Sequence, residues 1–392
     1  MADRADTSLL RLINVRKVVG AMFAAAPVAI SRAELVRQTG LAKPTVSSMM
    51  ADLESSGLVR LIDVGTPVGE MGRPPALYEI IPDSGFLLGA DIGATKMIVG
   101  IADILGRVVY EQVASTMPTA SDALDQVASI GRSLMRSVGD DTAQLAAACV
   151  AVPGIYRRGS DTVHGARNLP GFTGIQVAET LGRSLGVPVE VENDVNLAAV
   201  AEDRLNRGHD VTDFAAISIG TGLGMGLIIG DQLFRGGNGA SGEIGSMRLP
   251  GGVCLEDVVS GPAICKAFGR AVESGSDSVL SSDAEVPAIL DAAQHGDPVA
   301  ERVVQHAADT LADAIANVIM LFDPELIVLG GGIGANPAFS GRVRTALSAL
   351  IADPPPVQSS TLGNRSTFLG AIGTAVRQFQ SSIVTDRLMG WP

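Results

Sequence analysis

Asp194, Glu243 and Glu256 give this chain a set of carboxylates whose surroundings suit chemistry on hydroxyl groups. Asp194 follows Asn193 at the end of residues 187–192, a stretch that reads as a buried strand. At such a strand end, on a cleft floor, it could take the proton of a sugar hydroxyl as general base for in-line phosphoryl transfer. It could equally only hydrogen-bond that hydroxyl in a binding protein. A third role is to cap the helix that residues 197–202 predict. Glu243, in Ser241-Gly242-Glu243-Ile244-Gly245, and Glu256 suit paired contacts to sugar hydroxyls. Asn168, in Asn168-Leu169-Pro170-Gly171-Phe172, fits a turn as well as a ligand.

Three glycine-rich turns have the composition of phosphate-binding loops. Asp91-Ile92-Gly93-Ala94-Thr95-Lys96 lies between two predicted strands. Glycine there lets backbone N–H groups approach phosphate oxygens, and an aspartate can hold Mg²⁺ through water. Gly220-Thr221-Gly222 would grip the phosphates from the opposite side, and Gly330-Gly331-Gly332 could pass close to an adenosine. Each turn alone reads equally well as a hairpin with no ligand. The three in this order favour a cleft of nucleotide-binding ancestry. Such a cleft suits both a chain that still binds ATP and one that has lost it.

The elements that would position these residues follow from periodicity. Residues 87–92 and 96–103 suit a hairpin, and 214–219 with 224–229 look like a second copy of it. Residues 144–152 read as another buried strand, 303–322 as a long helix, and 326–329 as a strand. A duplicated hairpin–turn–helix order predicts two similar α/β lobes around a cleft. A final helix near 369–380 is expected to return and pack on the first lobe.

Ahead of this body stands a different pattern. Residues 8–25 carry apolar side chains at helical spacing, and Pro27 follows. Ser31 caps a second helix, with Glu34 completing a capping-box pattern, and Gly40 stops it. Lys43 and Pro44 open a third helix whose inward positions are Val46, Met49, Met50 and Leu53. Residues 58–63 and 76–81 read as two short strands around a loop rich in glycine and proline. Three helices and a two-stranded wing make a winged helix-turn-helix. Lys43, Thr45, Ser47 and Ser48 near the start of the third helix suit bases or phosphates in a major groove. Arg73, in the Gly-Arg-Pro of the wing, suits a minor groove or the backbone. Pro82, Asp83 and Ser84 read as a hinge.

Charge agrees with that division. Residues 1–82 hold nine Lys/Arg and eight Asp/Glu, so the chain's net −13 places −14 on the remainder. An acidic body repels phosphate, which confines DNA contact to the head and makes it strongly salt-dependent. The polar N-terminus lacks a secretory pattern, and no apolar run reaches the ~18 residues of a bilayer span. Cys149, Cys254 and Cys265 form no CxxC pair, which fits the cytoplasm. His164, His209, His295 and His306 show no metal-ligand spacing and read as surface or loop residues.

Taken together these motifs resemble the ROK family: repressors, open reading frames and sugar kinases with an actin/hexokinase-like, ribonuclease H-like fold. The most specific stretch is GTGLGMGLIIGDQLFRGGNGASGEIG, supported by NDVNLAAVAE, PGIYRRG and NLPGF. The resemblance implies that Asp91, Gly93, Thr95 and Lys96 form the first phosphate loop and Gly220, Thr221 and Gly222 the second. Asn193, Asp194, Glu243 and Glu256 take the places of the sugar ligands, with Asp194 as catalytic base if the chain is a kinase. Two positions depart from the family. Ala94 stands where a second glycine is usual. Ser246 replaces a histidine that touches the sugar and joins three cysteines on a structural zinc, and the following loop keeps only Cys254. One thiolate cannot make a four-ligand site, so zinc is expected to be absent and sugar specificity altered.

The sequence therefore predicts a winged helix-turn-helix over 1–82 and a two-lobed body over 83–392. Lobe one spans about 83–192 plus the helix at 369–380, and lobe two about 193–365. The expected function is a regulator, a repressor of carbohydrate genes, whose operator affinity is set by a small sugar or sugar phosphate. It requires no cofactor. The competing expectation is an ATP- and Mg²⁺-dependent sugar kinase with a regulatory head. A third class is a regulator gated by another protein. A homodimer or dimer of dimers is expected, because one helix-turn-helix reads too few base pairs.

Overall fold

The computed structural model describes residues 2–62, 76–139, 143–166, 169–205 and 211–383, with side chains from Leu10 onward. The N-terminal elements are α1 (Ala2–Ala25), β1 (Ile30–Ser31), α2 (Arg32–Thr39), α3 (Lys43–Ser55), β2 (Val59–Ile62) and β3 (Leu77–Ile80). Sequence dictates their ends. The Ser31 hydroxyl accepts from Glu34 N at 3.1 Å, and Gly40 closes α2 at φ 68°, a left-handed conformation that favours glycine. The return bond of a capping box is not made, because the Glu34 carboxylate binds Arg37 and Gln38 instead. Val46, Met49, Met50 and Leu53 are the buried face of α3, as their spacing predicts. The sheet has three strands in the order β1-β3-β2, one more than the sequence pattern showed. A two-residue strand carries no periodicity to read.

The body begins with β4 (Phe86–Ile92), β5 (Lys96–Asp103), β6 (Val108–Ser115) and α4 (Ala120–Ser137). Then come β7 (Leu145–Val152), β8 (Ile155–Arg157), β9 (Thr162–His164), α5 (Val177–Leu185), β10 (Val189–Asn193) and α6 (Asp194–Leu205). The second half holds β11 (Phe214–Ile219), β12 (Leu223–Ile229), β13 (Gln232–Phe234), α7 (Glu256–Val259), α8 (Gly261–Glu273) and α9 (Val286–Gln294). It ends with α10 (Pro298–Phe322), β14 (Leu326–Gly330), α11 (Gly331–Gly334), α12 (Pro337–Leu350), β15 (Val357–Ser359) and α13 (Ser366–Ser382).

The duplication predicted from the hairpins is complete at the level of topology. One sheet runs β10-β7-β4-β5-β6 and the other β15-β14-β11-β12-β13, so each position of one has its counterpart in the other. In each, an antiparallel three-strand meander is followed by two parallel strands. The last helices of the two halves, α6 and α13, cross each other closely. A Cβ on Gly370 would stand 1.8 Å from the carbonyl oxygen of Leu197, so only glycine fits the crossing.

Helix α13 also packs on β4 and β7, as expected, and extends one apolar core into the head. Phe379 of α13 and Ile383, directly after it, share that core with Val15, Val18 and Met22 of α1. The segment 82–84 is pinned rather than free: Ile104 N donates to Pro82 O at 3.1 Å and Ser84 N to Ile81 O at 3.1 Å. The segment expected to be a hinge is thus a hydrogen-bonded turn. Among the described residues, no helix is long and apolar enough to cross a membrane.

Candidate functional site

Residues from both halves line a cleft of about 390 Å³. Its floor is the start of α6. Asn193 Oδ1 accepts from Val195 N at 2.9 Å and from Asn196 N at 3.1 Å, while its Nδ2 donates to Gly154 O at 3.0 Å. Asn193 is thus the helix cap, the role weighed above for Asp194. Asp194 becomes the first helical residue and turns its carboxylate, which accepts from Val195 N at 2.8 Å, into the cleft. Burial raises its pKa, although the N–H groups at the helix start pull it back.

Glu243 comes from the opposite wall. Its loop is held by Gly242, at φ 86°, where a Cβ would lie 1.8 Å from Met225 O; Met225 N donates to Gly242 O at 2.9 Å. Among the described residues no group donates to the Glu243 carboxylate. Burial raises its pKa, and the charges of Asp194 and Glu256 add to the effect. Glu256, at the start of α7, accepts from Leu223 N at 3.0 Å and so also braces the beginning of β12. Ser246 stands exposed in the same cleft. A half-unpaired set of carboxylates around a polar cavity of this size suits a small polyhydroxylated ligand.

The glycine turns divide. Gly220, Thr221 and Gly222 line the cleft, and Gly220 and Thr221 also line an adjoining one of about 610 Å³. Gly332, Ile333, Leu290, Val286 and Pro262 wall that second cleft, a largely apolar slot. Gly331 does not reach it. At φ 72°, with a Cβ position 2.3 Å from Ile219 O, Gly331 serves the tight passage from β14 to α11. Gly93, Thr95 and Lys96 form the β4–β5 turn, closed by Gly93 N to Lys96 O at 3.1 Å, and line neither cleft. Asp91 lines neither, yet it is coupled to the site. Burial, then the charge of Asp194, push its pKa up to about 7 against the pull of Lys96.

The segment after Ser246 does not fit a zinc site. Leu249 N donates to Val253 O at 2.8 Å and Leu255 N to Met247 O at 2.9 Å, closing a small backbone hairpin. Cys254 is its only thiol, and no cluster of three His, Cys, Asp or Glu suited to a metal occurs among the described residues.

In the head, Lys43 and Ser48 are exposed on α3, with Thr45 and Ser47 half-buried beside them. Arg11 ties α1 to this helix through Asp52 at 3.0 Å. Arg73 and Asn168 lie outside the described residues. The sequence reading missed His164, which lies on β9 and lines the cleft rather than a plain surface loop. It also missed Gly154, the partner of Asn193. Nothing in the spacing around His164 marks it, because the β8–β9 hairpin brings it there from 30 residues away.

The ROK family pattern matches residues 87–377, and an IclR helix-turn-helix domain pattern matches residues 21–62. A xylose repressor from Caldicellulosiruptor bescii is 26% identical over 90% of this chain and 93% of its own length. A beta-glucoside kinase from Listeria innocua is 28% identical over 72% of this chain and 94% of its own. Among solved structures, a ROK family transcriptional regulator described as a homolog of the E. coli MLC protein superposes with a TM-score of 0.80. It covers 97% of this chain and all of its own at 22% identity, a likeness of fold. A Streptomyces griseus glucokinase in complex with glucose and AMPPNP gives 0.65 over 75% of this chain and all of its own, at 28% identity.

Proposed function

The chain belongs to the ROK family, and from that premise we propose that it is a sugar-responsive DNA-binding transcriptional repressor. The observation that carries the proposal is the joining of a helix-turn-helix head to the sugar-kinase-like body through one core. The kinase relative spans nearly its full length on 72% of this chain, whereas the xylose repressor spans 90%. The added part is the head, and a head that reads DNA makes the body an effector domain. The ligand is a small sugar held by Asp194, Glu243 and Glu256, with Ser246 in the same cleft; Asn168 is a further proposed ligand. Lys43, Thr45, Ser47, Ser48 and Arg73 contact the operator. The acting species is a homodimer, since two half-sites supply the specificity. The protein works without zinc, and without turnover of ATP.

The test is fluorescence anisotropy on DNA from upstream of the protein's own gene, at fixed salt, with a titration of sugars and sugar phosphates. Tight binding shifted by one sugar is the expected result. Binding no tighter than to unrelated DNA would sink the repressor reading.

A second reading, a working kinase, draws on Asp194 in the cleft beside Gly220–Gly222 and on the adjoining slot. A bound nucleotide would supply the phosphoryl group. The chain itself would supply Asp194 as acceptor of the hydroxyl proton. A coupled assay of ADP release, with Asp194→Asn as control, decides it. Turnover that disappears in the variant establishes the kinase.

A further inference from the structure

Glu192 precedes the cap residue Asn193 on β10 and is buried, at 4% exposure. Its Oε1 accepts from Asn193 N at 3.0 Å and from Asn196 Nδ2 at 2.9 Å. Its Oε2 accepts from Arg235 Nε, and Arg158 Nη2 stands 3.6 Å away. Arg235 belongs to the other half of the molecule, directly after β13. Its own carbonyl accepts from Ser241 N at 3.3 Å, closing the loop that leads into Gly242 and Glu243. Gly239 in that loop, at φ 76°, lies against Tyr156 of the β8–β9 hairpin, with a Cβ position 2.5 Å from Tyr156 O.

One buried carboxylate therefore touches the floor of the cleft, through Asn193 and Asn196, and the root of the loop that carries Glu243. Neither Glu192 nor Arg235 lines the cleft. We infer that Glu192 and Arg235 are a positioning pair that holds the two walls of the sugar cleft in register. The inference rests on the reading of that cleft as the effector site. Glu192 is buried while Arg235 is 31% exposed, and removing Arg235 takes from the buried carboxylate its nearest cation, leaving Arg158 at 3.6 Å with Asn193 and Asn196. The two members of the pair should therefore act as a unit.

The test uses the full-length protein with Glu192→Gln, Arg235→Met and the double variant. Hydrogen exchange of the amides of 236–243 and sugar-induced release from operator DNA are measured for each. Exchange in 236–243 should quicken in all three. The sugar concentration for half-response should rise roughly tenfold in each single variant and no further in the double. Operator affinity without sugar should stay within about twofold of the parent's. Arg235→Lys, which keeps the charge, should restore part of the sugar response. Unchanged exchange in 236–243, or a double variant whose loss is the product of the single losses, overturns the inference. If Glu192→Gln does not fold, Arg235→Met, which leaves Glu192 its other three neighbours, carries the same two readouts. A parent protein that ignores every sugar while its variants loosen the loop keeps the pair and removes the effector reading. A parent that responds, with variants that match it in both readouts, removes the pair and keeps the effector reading.

Discussion

At the scale of residues, the cleft concentrates carboxylates faster than it neutralises them. Asp91 has an ordinary value of 3.8 and a folded value of about 7. Between these limits the native state holds the proton more tightly than the unfolded chain, so stability is greatest below about pH 4 and falls as pH rises through 7. Asp91→Asn removes that loss. Without nucleotide or Mg²⁺, the variant should gain stability over the parent by roughly 2–3 kcal/mol more at pH 8 than at pH 5. Urea unfolding at the two pH values measures this, and an equal difference at both would refute the upward shift that burial and the charge of Asp194 give Asp91. Glu243 makes the complementary prediction, because among the described residues no group donates to its oxygens. Glu243→Ala should abolish the sugar response and leave operator affinity intact in the anisotropy titration. A surviving response would place the effector elsewhere. Glu243 was legible from sequence because it sits in a short motif beside Gly242, and Asp194 because it follows Asn193 at the end of a stretch that reads as a buried strand. The role of Asn193 was not, since which of two adjacent polar residues caps a helix depends on backbone geometry that both residue types allow.

At the scale of elements, the head was the most legible part of the chain. Its stops are local: Ser31 and Gly40 bound one helix, and Pro44 opens the next. Strand β6 illustrates the opposite case. Val109, Tyr110 and Val113 are exposed at the edge of the sheet, so its residues alternate in no pattern that burial would enforce. The β8–β9 hairpin was equally hidden, because its strands are three residues each and are held by contacts distant in sequence, including Arg158 to Glu190 at 3.1 Å. For α3 the prediction concerns salt. Lys43 stands exposed at its first turn, where a phosphate contact is available. Lys43→Gln should weaken binding about equally on operator and unrelated DNA and should lower the salt slope by about one. Ser48→Ala should instead relax preference among operator variants, if Ser48 meets a base edge. Anisotropy across a salt series separates the two effects. A Lys43→Gln slope equal to the parent's would remove Lys43 from the interface.

At the scale of the whole molecule, the question is how a cleft built on α6 reaches a head built on α1. Helix α13 is a continuous path that touches both. Near its start, the Thr367 hydroxyl donates to Asp194 O at 3.3 Å; in its middle, Gly370 and Gly373 receive α6, and Arg204 of α6 donates to Gly373 O. At its end, Phe379 and Ile383 enter the core of the head. Sugar can move the operator equilibrium only by as much as it prefers one arrangement of this crossing over another. A hundredfold change in operator affinity corresponds to about 2.8 kcal/mol of such preference. Gly370→Ala should consume that preference, because a methyl group 1.8 Å from Leu197 O forces α6 and α13 apart in every state. The expected result is a folded protein that binds operator and binds sugar, with the ratio of operator Kd values with and without sugar collapsing toward one. Gly20→Ala is the control: it lies on α1 with nothing within 4 Å of the added methyl, and should keep the parent's ratio. A Gly370→Ala protein that folds and keeps the full ratio would show that the signal leaves the cleft by another route, and would send the search to the pinned turn at 82–84.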